Sequence, residues 1–252
     1  MQLKRLFTLP VLALMSVAAA AADTTVAVAA NFTAAMNDIA AAFEAATGHR
    51  VHTAYASSGA LYAQIGNGAP FDAFLSADQA KPAALVEDGK ALRGSRFTYA
   101  SGTLVLWSAR PDFVDPHGRV LRDGRYARLA LADPRLAPYG VAAVEVLRQL
   151  GLEKATEQRW VQGQNIAQTY QFVATGNAEL GFVALSQVVH RGTQDAGSAW
   201  MIPRRLYTPI RQDAVLLAHG RDNAAARALL HFLRGVEARA IIAGYGYRTA
   251  AE

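Results

Sequence analysis

Residues 24–48 read TTVAVAANFTAAMNDIAAAFEAATG, and this stretch decides the fold class. Its first seven residues are threonine, valine and alanine, a composition typical of a buried β-strand. A helix is predicted next, because apolar residues recur at the spacing of one helix face: Met36, Ile39, Ala40 and Phe43. Gly48 then ends that helix. The stretch is therefore a strand followed directly by an amphipathic helix.

The alternation of strand and helix continues through the first third of the chain. Residues 50–56 and 71–75 are strand candidates, and a short helix begins between them at Ser57 or Ser58. Ser76, with a glutamine three residues later, predicts a capping box that opens the next helix. A repeated βα pattern of this kind indicates a parallel sheet covered by helices on both faces.

A second αβ unit is predicted in the middle of the chain. Its strands are residues 129–132 and 179–185, and one helix between them is marked by Val141, Val144, Leu147 and Leu150. Another helix begins at Asn165. Residues 214–218 form one more strand, and a helical tail follows it. The sequence thus predicts an α/β protein with two αβα lobes.

No flexible linker separates the two units, so we expect strands to join them. The natural crossings are residues 98–107 and 210–218. Lobe I is then formed by residues 23–100 and 216–252, and lobe II by residues 101–215.

Residues 1–22 differ from the rest and have the layout of a secretory signal peptide. Lys4 and Arg5 precede a short apolar stretch, and a run of small residues ends before Asp23. Cleavage after Ala20 or Ala22 fits this layout; we expect it after Ala22, followed by export to the periplasm. Absence of cysteine fits an exported protein, because an oxidising compartment permits disulfides without requiring them. The net charge of +5 is scattered along the chain and implies no nucleic-acid partner.

Catalytic and metal-binding signals are missing from the sequence. It contains neither a G-x-S-x-G nucleophile elbow nor a P-loop. Its six histidines lack metal-ligand spacing, and cysteine ligands are excluded. We therefore predict that the protein is not an enzyme, requires no cofactor and offers no direct metal ligands.

Four predicted helix starts carry short polar groups at strand ends, where α/β proteins bind ligands. They are Asn31, Ser57-Ser58-Gly59, Pro138-Tyr139-Gly140 and Asn165-Ile166. Each start offers free N–H groups and the positive end of a helix dipole. One such start alone would be ordinary helix capping. Four of them, two in each lobe, predict a site that holds an anion without lysine or arginine.

Several segments closely resemble the periplasmic molybdate-binding proteins of ABC transporters. They are AANFT (29–33), ASSG (56–59), GAPFDAFLSAD (68–78) and GFVAL (181–185), and the likeness runs from Thr24 to about Tyr247. The resemblance implies a bilobal type II periplasmic-binding-protein fold, with a ligand cleft between the lobes that closes on a tetrahedral oxyanion. It further implies molybdate, and tungstate, as ligand, a membrane permease of an ABC transporter as partner, and a monomer.

The resemblance also implies the ligand-binding residues. They fall on Ala30, Asn31, Ser58, Tyr139 and Ile166, with backbone donors at Ala30 or Asn31 and at Ile166. Many members of the family place a ligand tyrosine three residues after the glycine of the last strand, and this chain has Ala184 there. Tyr139 is similar to the replacement found in a second branch of the family.

Three alternatives remain open from the sequence. The site could hold another tetrahedral oxyanion, such as sulfate or phosphate. An exported hydrolase with Ser58 as nucleophile would need a nearby base, which the histidine positions do not offer. Iron binding through Tyr245 and Tyr247 is a third alternative, although their positions near the carboxyl terminus favour packing.

Overall fold

The computed structural model describes residues 21–190, 193–194 and 196–249. Nearly all of the predicted signal peptide therefore lies outside the described residues. The strands are β1 (Asp23–Ala29), β2 (Arg50–Ala56), β3 (Ala73–Leu75), β4 (Phe97–Gly102), β5 (Leu104–Ser108), β6 (Leu129–Ala132), β7 (Trp160–Gly163), β8 (Leu180–Ala184), β9 (Val189–His190), β10 (Thr193–Gln194), β11 (Ser198–Met201) and β12 (Ile210–Leu216). The α-helices are α1 (Thr33–Thr47), α2 (Ser58–Gly66), α3 (Ala80–Glu87), α4 (Val120–Asp123), α5 (Pro138–Gln149), α6 (Glu153–Thr156), α7 (Ile166–Ala174), α8 (Ala224–Phe232) and α9 (Val236–Gly244).

The first lobe is built on a five-stranded sheet in the order β2-β1-β3-β12-β4. Strand β1 pairs in parallel with β2 and β3, as the βαβ pattern predicts, while β12 runs antiparallel to both of its neighbours. The predicted apolar face of α1 packs here, with Met36, Ile39 and Phe43 fully buried. Burial of these side chains, each worth roughly 1.5–3 kcal/mol, holds α1 against the sheet.

The second lobe has its own five-stranded sheet in the order β11-β5-β8-β6-β7. Strand β6 is parallel to β7 and β8, whereas β5 is antiparallel to β8 and β11. Helix α5 lays Ala142, Val146 and Leu147 into the core of this lobe. Each lobe thus buries apolar side chains against its own sheet, and Ala29, Ala30 and Ala77 of lobe I also pack against the cluster of lobe II.

Sheet membership corrects the predicted boundaries between the lobes. Strand β4 continues the first sheet to Gly102, and β5 begins the second sheet at Leu104, so the first crossing lies at Thr103. Residues 210–215, predicted to lie in lobe II, instead belong to β12, which pairs with β3 and β4 in the first sheet. The apolar run 214–217 packs into the two apolar clusters of lobe I, one on each face of the first sheet, and this packing keeps the strand in lobe I.

The predicted capping box at Ser76 and Gln79 is wrong, because α3 begins only at Ala80. Asp78 takes the capping role instead, and its Oδ1 accepts from the Lys81 N–H at 2.9 Å. The predicted α/β class with two lobes is confirmed by the two mixed sheets and their helices. In the described residues, every helix is too short or too polar to cross a bilayer.

Candidate functional site

Four helix starts converge on one small cavity between the lobes. The 3-10 turn Ala30–Phe32, which leads into α1, and the start of α2 come from lobe I, and the starts of α5 and α7 come from lobe II. The cavity measures about 10 Å³ and is lined by Ala29, Ala30, Asn31, Ser57, Ser58, Ala77, Ala137, Pro138, Tyr139, Asn165 and Ile166. All five predicted site residues therefore lie around one space.

Larger grooves of about 300 and 430 Å³ flank this cavity along the lobe interface. The first shares Ala77, Ala137 and Pro138 with it, and the second shares Ala30 and Asn31. We take the small cavity as the site, because it is the place where the helix starts of both lobes meet. The grooves extend from it toward solvent.

The lining of the cavity is neutral and withdrawn from water. Each residue that the structure places around it has an aliphatic, hydroxyl, phenol or amide side chain, without a formal charge. The first N–H groups of a helix lack acceptors within that helix, and the helix dipole adds partial positive charge there. The cavity is therefore suited to an anion that is held by hydrogen bonds alone.

Ser58 is the first residue of α2 and is 1% exposed. Ser57, the N-cap, extends the backbone and accepts from the Ala60 N–H, which turns Ser58 toward the cavity side of the helix start. The Ser58 Oγ accepts from the Ala77 N–H at 2.9 Å. That bond uses a lone pair of the hydroxyl and leaves its proton available to a further acceptor.

The side-chain amide of Asn31 is not free to donate a hydrogen bond to a ligand. Its Nδ2 donates to Gln212 Oε1 and to the Tyr247 hydroxyl, both at 2.9 Å, so both amide hydrogens are used within the protein. The backbone carbonyl of Asn31 accepts from Ser186 Oγ at 2.9 Å, a contact that joins the two lobes. The groups that this turn can offer a ligand are therefore the backbone N–H groups of Ala30 and Asn31.

Tyr139 lies in the first turn of α5, directly after Pro138, whose fixed φ suits the start of a helix. The side chain is 1% exposed, and burial raises the pKa of its hydroxyl well above the usual value of 10. The phenol is therefore neutral and keeps its proton. Its oxygen accepts from Gln212 Nε2 at 3.3 Å.

Ile166 opens α7, and its amide is the first helical N–H on that side of the cavity. Asn165 caps the helix by accepting from the Gln168 N–H at 3.0 Å. The Ile166 carbonyl accepts from Gln187 Nε2 at 3.0 Å. These bonds hold the α7 start in place, and Ile166 lines the cavity.

Ala184 ends β8 and lies outside the set of residues that line the cavity. Its N–H donates to Gln187 Oε1 at 2.9 Å, which places Gln187 between the β8 end and the α7 start. Sequence reasoning missed the roles of Gln187, Ser186 and Gln212 around the site. Gln212 stands between Arg211 and Asp213 at the polar beginning of β12, so nothing in the local sequence distinguishes it from a solvent-facing residue.

Comparison with known families agrees with this geometry. A family model described as bacterial extracellular solute-binding protein matches residues 24–248. The chain belongs to this family.

Curated relatives narrow the assignment within the solute-binding family. The chain is 56% identical over 234 residues to the molybdate-binding protein ModA of Azotobacter vinelandii, covering 93% of each protein. It is 51% identical to ModA of Rhodobacter capsulatus over 93% of this chain and 92% of that protein. ModA of Escherichia coli is 31% identical over 88% of both. This solute-binding protein is thus of the ModA type, and the predicted family is confirmed.

Solved structures support the same fold. The periplasmic molybdate-binding protein of Azotobacter vinelandii superimposes with a TM-score of 0.88 at 41% identity, over 90% of this chain and all of that one. The sulfate-binding protein SubI of Mycobacterium tuberculosis gives 0.75 at 15% identity, over 91% and 87% of the two chains. The second likeness shows the bilobal fold alone.

The hydrolase and iron alternatives find no support in the geometry of this solute-binding protein. Ser58 contacts a backbone amide, while His219 pairs with Asp72 at the far end of β3. Tyr245 and Tyr247 are buried in the apolar cluster of lobe I, and their hydroxyls donate to Asp38 and to the Asn31 carbonyl. Among the described residues, no group of three or more histidine, aspartate or glutamate side chains could hold a metal ion.

Proposed function

We propose that this protein captures molybdate, and tungstate, between its lobes in the periplasm and delivers it to the permease of an ABC transporter. The observation that carries the proposal is the meeting of four helix starts around a cavity with neutral walls. Kinship with the ModA proteins at 51–56% identity supports molybdate over other oxyanions. The donors would be Ser58, Tyr139, the backbone of Ala30 and Asn31, and the Ile166 N–H.

Neutral donors suit a dianion that has to leave water on binding. Its lost hydration must be replaced by hydrogen bonds, and bonds to a charged acceptor are about twice as strong as neutral ones. A lysine or arginine in the cavity would attract anions of many shapes. Donors fixed on four helix starts instead bind most tightly an oxyanion whose oxygens reach all of them.

Closure of the lobes would distinguish the ligand-bound protein from the empty one. Ser58 belongs to lobe I, whereas Tyr139 and Ile166 belong to lobe II, so a single oxyanion can be fully bonded only when the lobes are together. Ligand binding then shifts the protein toward the closed form. A permease that recognises that form would receive loaded protein only. We expect the carrier to act as a monomer.

Titration calorimetry against molybdate, tungstate, sulfate and phosphate tests this function. Molybdate and tungstate are dianions of nearly equal size and should bind alike, whereas the smaller sulfate cannot reach all donors. Each hydrogen bond that sulfate fails to make costs about 1–3 kcal/mol of binding free energy in a dry site. Two missing bonds would therefore lower the affinity for sulfate by roughly one and a half to four decades. Sulfate affinity within threefold of molybdate would instead favour a general oxyanion carrier.

A further inference from the structure

Gln212 is a fully buried polar residue on β12, close to where the chain crosses between the lobes. The pairing of β12 with β4 shifts its register between Gln212 and Asp213. An irregularity of this kind redirects side chains. The amide of Gln212 extends toward residues of the ligand cavity, while Asp213 bonds to Arg96 and Thr98 away from it.

The two ends of the Gln212 amide have different partners. Its Oε1 accepts from Asn31 Nδ2 at 2.9 Å and from the Tyr99 hydroxyl at 3.0 Å. Its Nε2 lies 3.3 Å from the Tyr139 hydroxyl oxygen. An amide nitrogen has no free lone pair, so Gln212 is the donor in this last bond. One side chain thus joins the lobe I turn at Asn31 to the lobe II helix start at Tyr139.

Gly102 provides the space for this pair at the end of β4. A Cβ atom at Gly102 would overlap the Tyr139 hydroxyl and would lie 2.7 Å from Gln212 Nε2. Any larger residue at this point of the crossing would therefore push the two groups apart. The close approach of Tyr139 and Gln212 depends on the backbone as well as on the two side chains.

We propose that Gln212 is a positioning residue for the oxyanion, which it serves by donating to the Tyr139 oxygen and so turning the phenolic proton toward the ligand. The inference rests on the proposed function and explains how one of the ligand donors, the Tyr139 hydroxyl, is oriented. A hydroxyl whose oxygen accepts from an amide directs its own hydrogen elsewhere. The cavity is the space in which a ligand oxygen can accept it. Gln212 itself does not line that cavity.

A double-mutant cycle on molybdate affinity separates this role from general packing. Gln212→Met keeps the length of the side chain and removes its polar groups. In protein that retains Tyr139, we expect it to weaken binding about tenfold. In the Tyr139→Phe background, the same change should lower molybdate affinity by no more than about threefold, because the hydroxyl that Gln212 orients is absent. Equal losses in both backgrounds, or no loss beside Tyr139, would overturn the proposal.

Tyr99→Phe is the matched control, since it removes a different partner of the same amide. It should lower stability while leaving molybdate affinity within about threefold of the wild type. Tyrosine labelled with ¹³C at Cζ gives a direct signature, with the Tyr139 signal identified by its loss in Tyr139→Phe. Gln212→Met should move that signal in the free protein, and an unmoved signal would contradict the contact. Failure of the wild type to bind molybdate would overturn both proposals, whereas additive losses in a binding-competent protein overturn the positioning role alone.

Discussion

The Gly59 N–H donates to the Leu136 carbonyl at 2.9 Å, across the gap between the lobes. A Cβ atom at Gly59 would lie 2.8 Å from that same oxygen, closer than such atoms approach each other in proteins. Gly59 follows Ser58, and Leu136 is three residues before Tyr139. The contact therefore sets how closely two ligand-bearing segments approach when the lobes are together.

Gly59→Ala should weaken molybdate binding by about tenfold without removing any ligand donor. The added methyl group obstructs the close approach, and donors held a few tenths of an ångström too far lose part of each bond. Calorimetry with the purified variant measures the change. Gly66→Ala is the matched control, because it lies at the other end of α2 and its Cβ would meet only Lys90 Nζ, at 3.9 Å. Equal affinities for both variants would show that the contact does not limit closure.

Ser58→Ala should reduce molybdate affinity by roughly ten- to a hundredfold, since a hydrogen bond to a charged group is worth about 1.5–3 kcal/mol. Ser95→Ala is a suitable control. The Ser95 Oγ also accepts a backbone N–H, from Leu216 at 3.1 Å, but lies outside the cavity lining. We expect Ser95→Ala to affect only the thermal midpoint. A Ser58→Ala protein that binds as tightly as the wild type would remove Ser58 from the site.

Local patterns were sufficient to predict the helix starts of the site. Ser58, Tyr139 and Ile166 stand at strand-to-helix junctions, and the structure brings all three to one cavity. Such junctions can be predicted from sequence because a capping residue and a periodic apolar pattern are both short-range signals. Their convergence from two lobes, by contrast, was inferred from the pattern of parallel sheets and from family resemblance.

Long-range partners were beyond what the sequence could predict. Gln212 meets Asn31 across 181 positions and Tyr139 across 73, and nothing local to any of them specifies the pairing. The predicted lobe boundary at residue 215 is wrong for a similar reason. An apolar run predicts a strand, but the sheet that it joins depends on its tertiary neighbours, here β3 and β4.

Export can be checked by the mature N-terminus of the protein. Residues 1–22 combine a basic start, an apolar stretch and small residues before Asp23, so a signal peptidase should cut after Ala22. Mass spectrometry of periplasmic protein from a Gram-negative host should find Asp23 first, or a residue within two or three positions of it. Replacing both Lys4 and Arg5 with glutamate should slow processing. Intact Met1 in the periplasmic fraction would contradict the prediction.

Stability should fall at alkaline pH through the buried tyrosines Tyr99, Tyr139 and Tyr247. Burial raises the pKa of each hydroxyl above 10 in the folded state, whereas the unfolded chain titrates near 10. Below pH 10 both states are protonated and stability is fully present. Above it, the unfolded state loses protons first, so stability drops by up to about 1.4 kcal/mol per pH unit for each group. Urea midpoints between pH 7 and 11 measure this loss, and Tyr247→Phe should flatten its slope.

Tyr139→Phe tests whether the phenol takes the place left by Ala184. The substitution keeps the ring that packs in lobe II but removes the hydroxyl that accepts from buried Gln212 Nε2, so the free protein should lose about 1–3 kcal/mol of stability and still fold. A ligand oxygen would lose a charge-assisted bond, which predicts roughly a ten- to hundredfold weaker molybdate affinity. Tyr207→Phe is the control, because its hydroxyl accepts from the Leu104 N–H at 3.2 Å and does not reach the cavity. If Ser58→Ala weakens binding and Tyr139→Phe leaves it unchanged, Tyr139 is a packing residue, and the oxyanion is held by the helix starts and Ser58 alone.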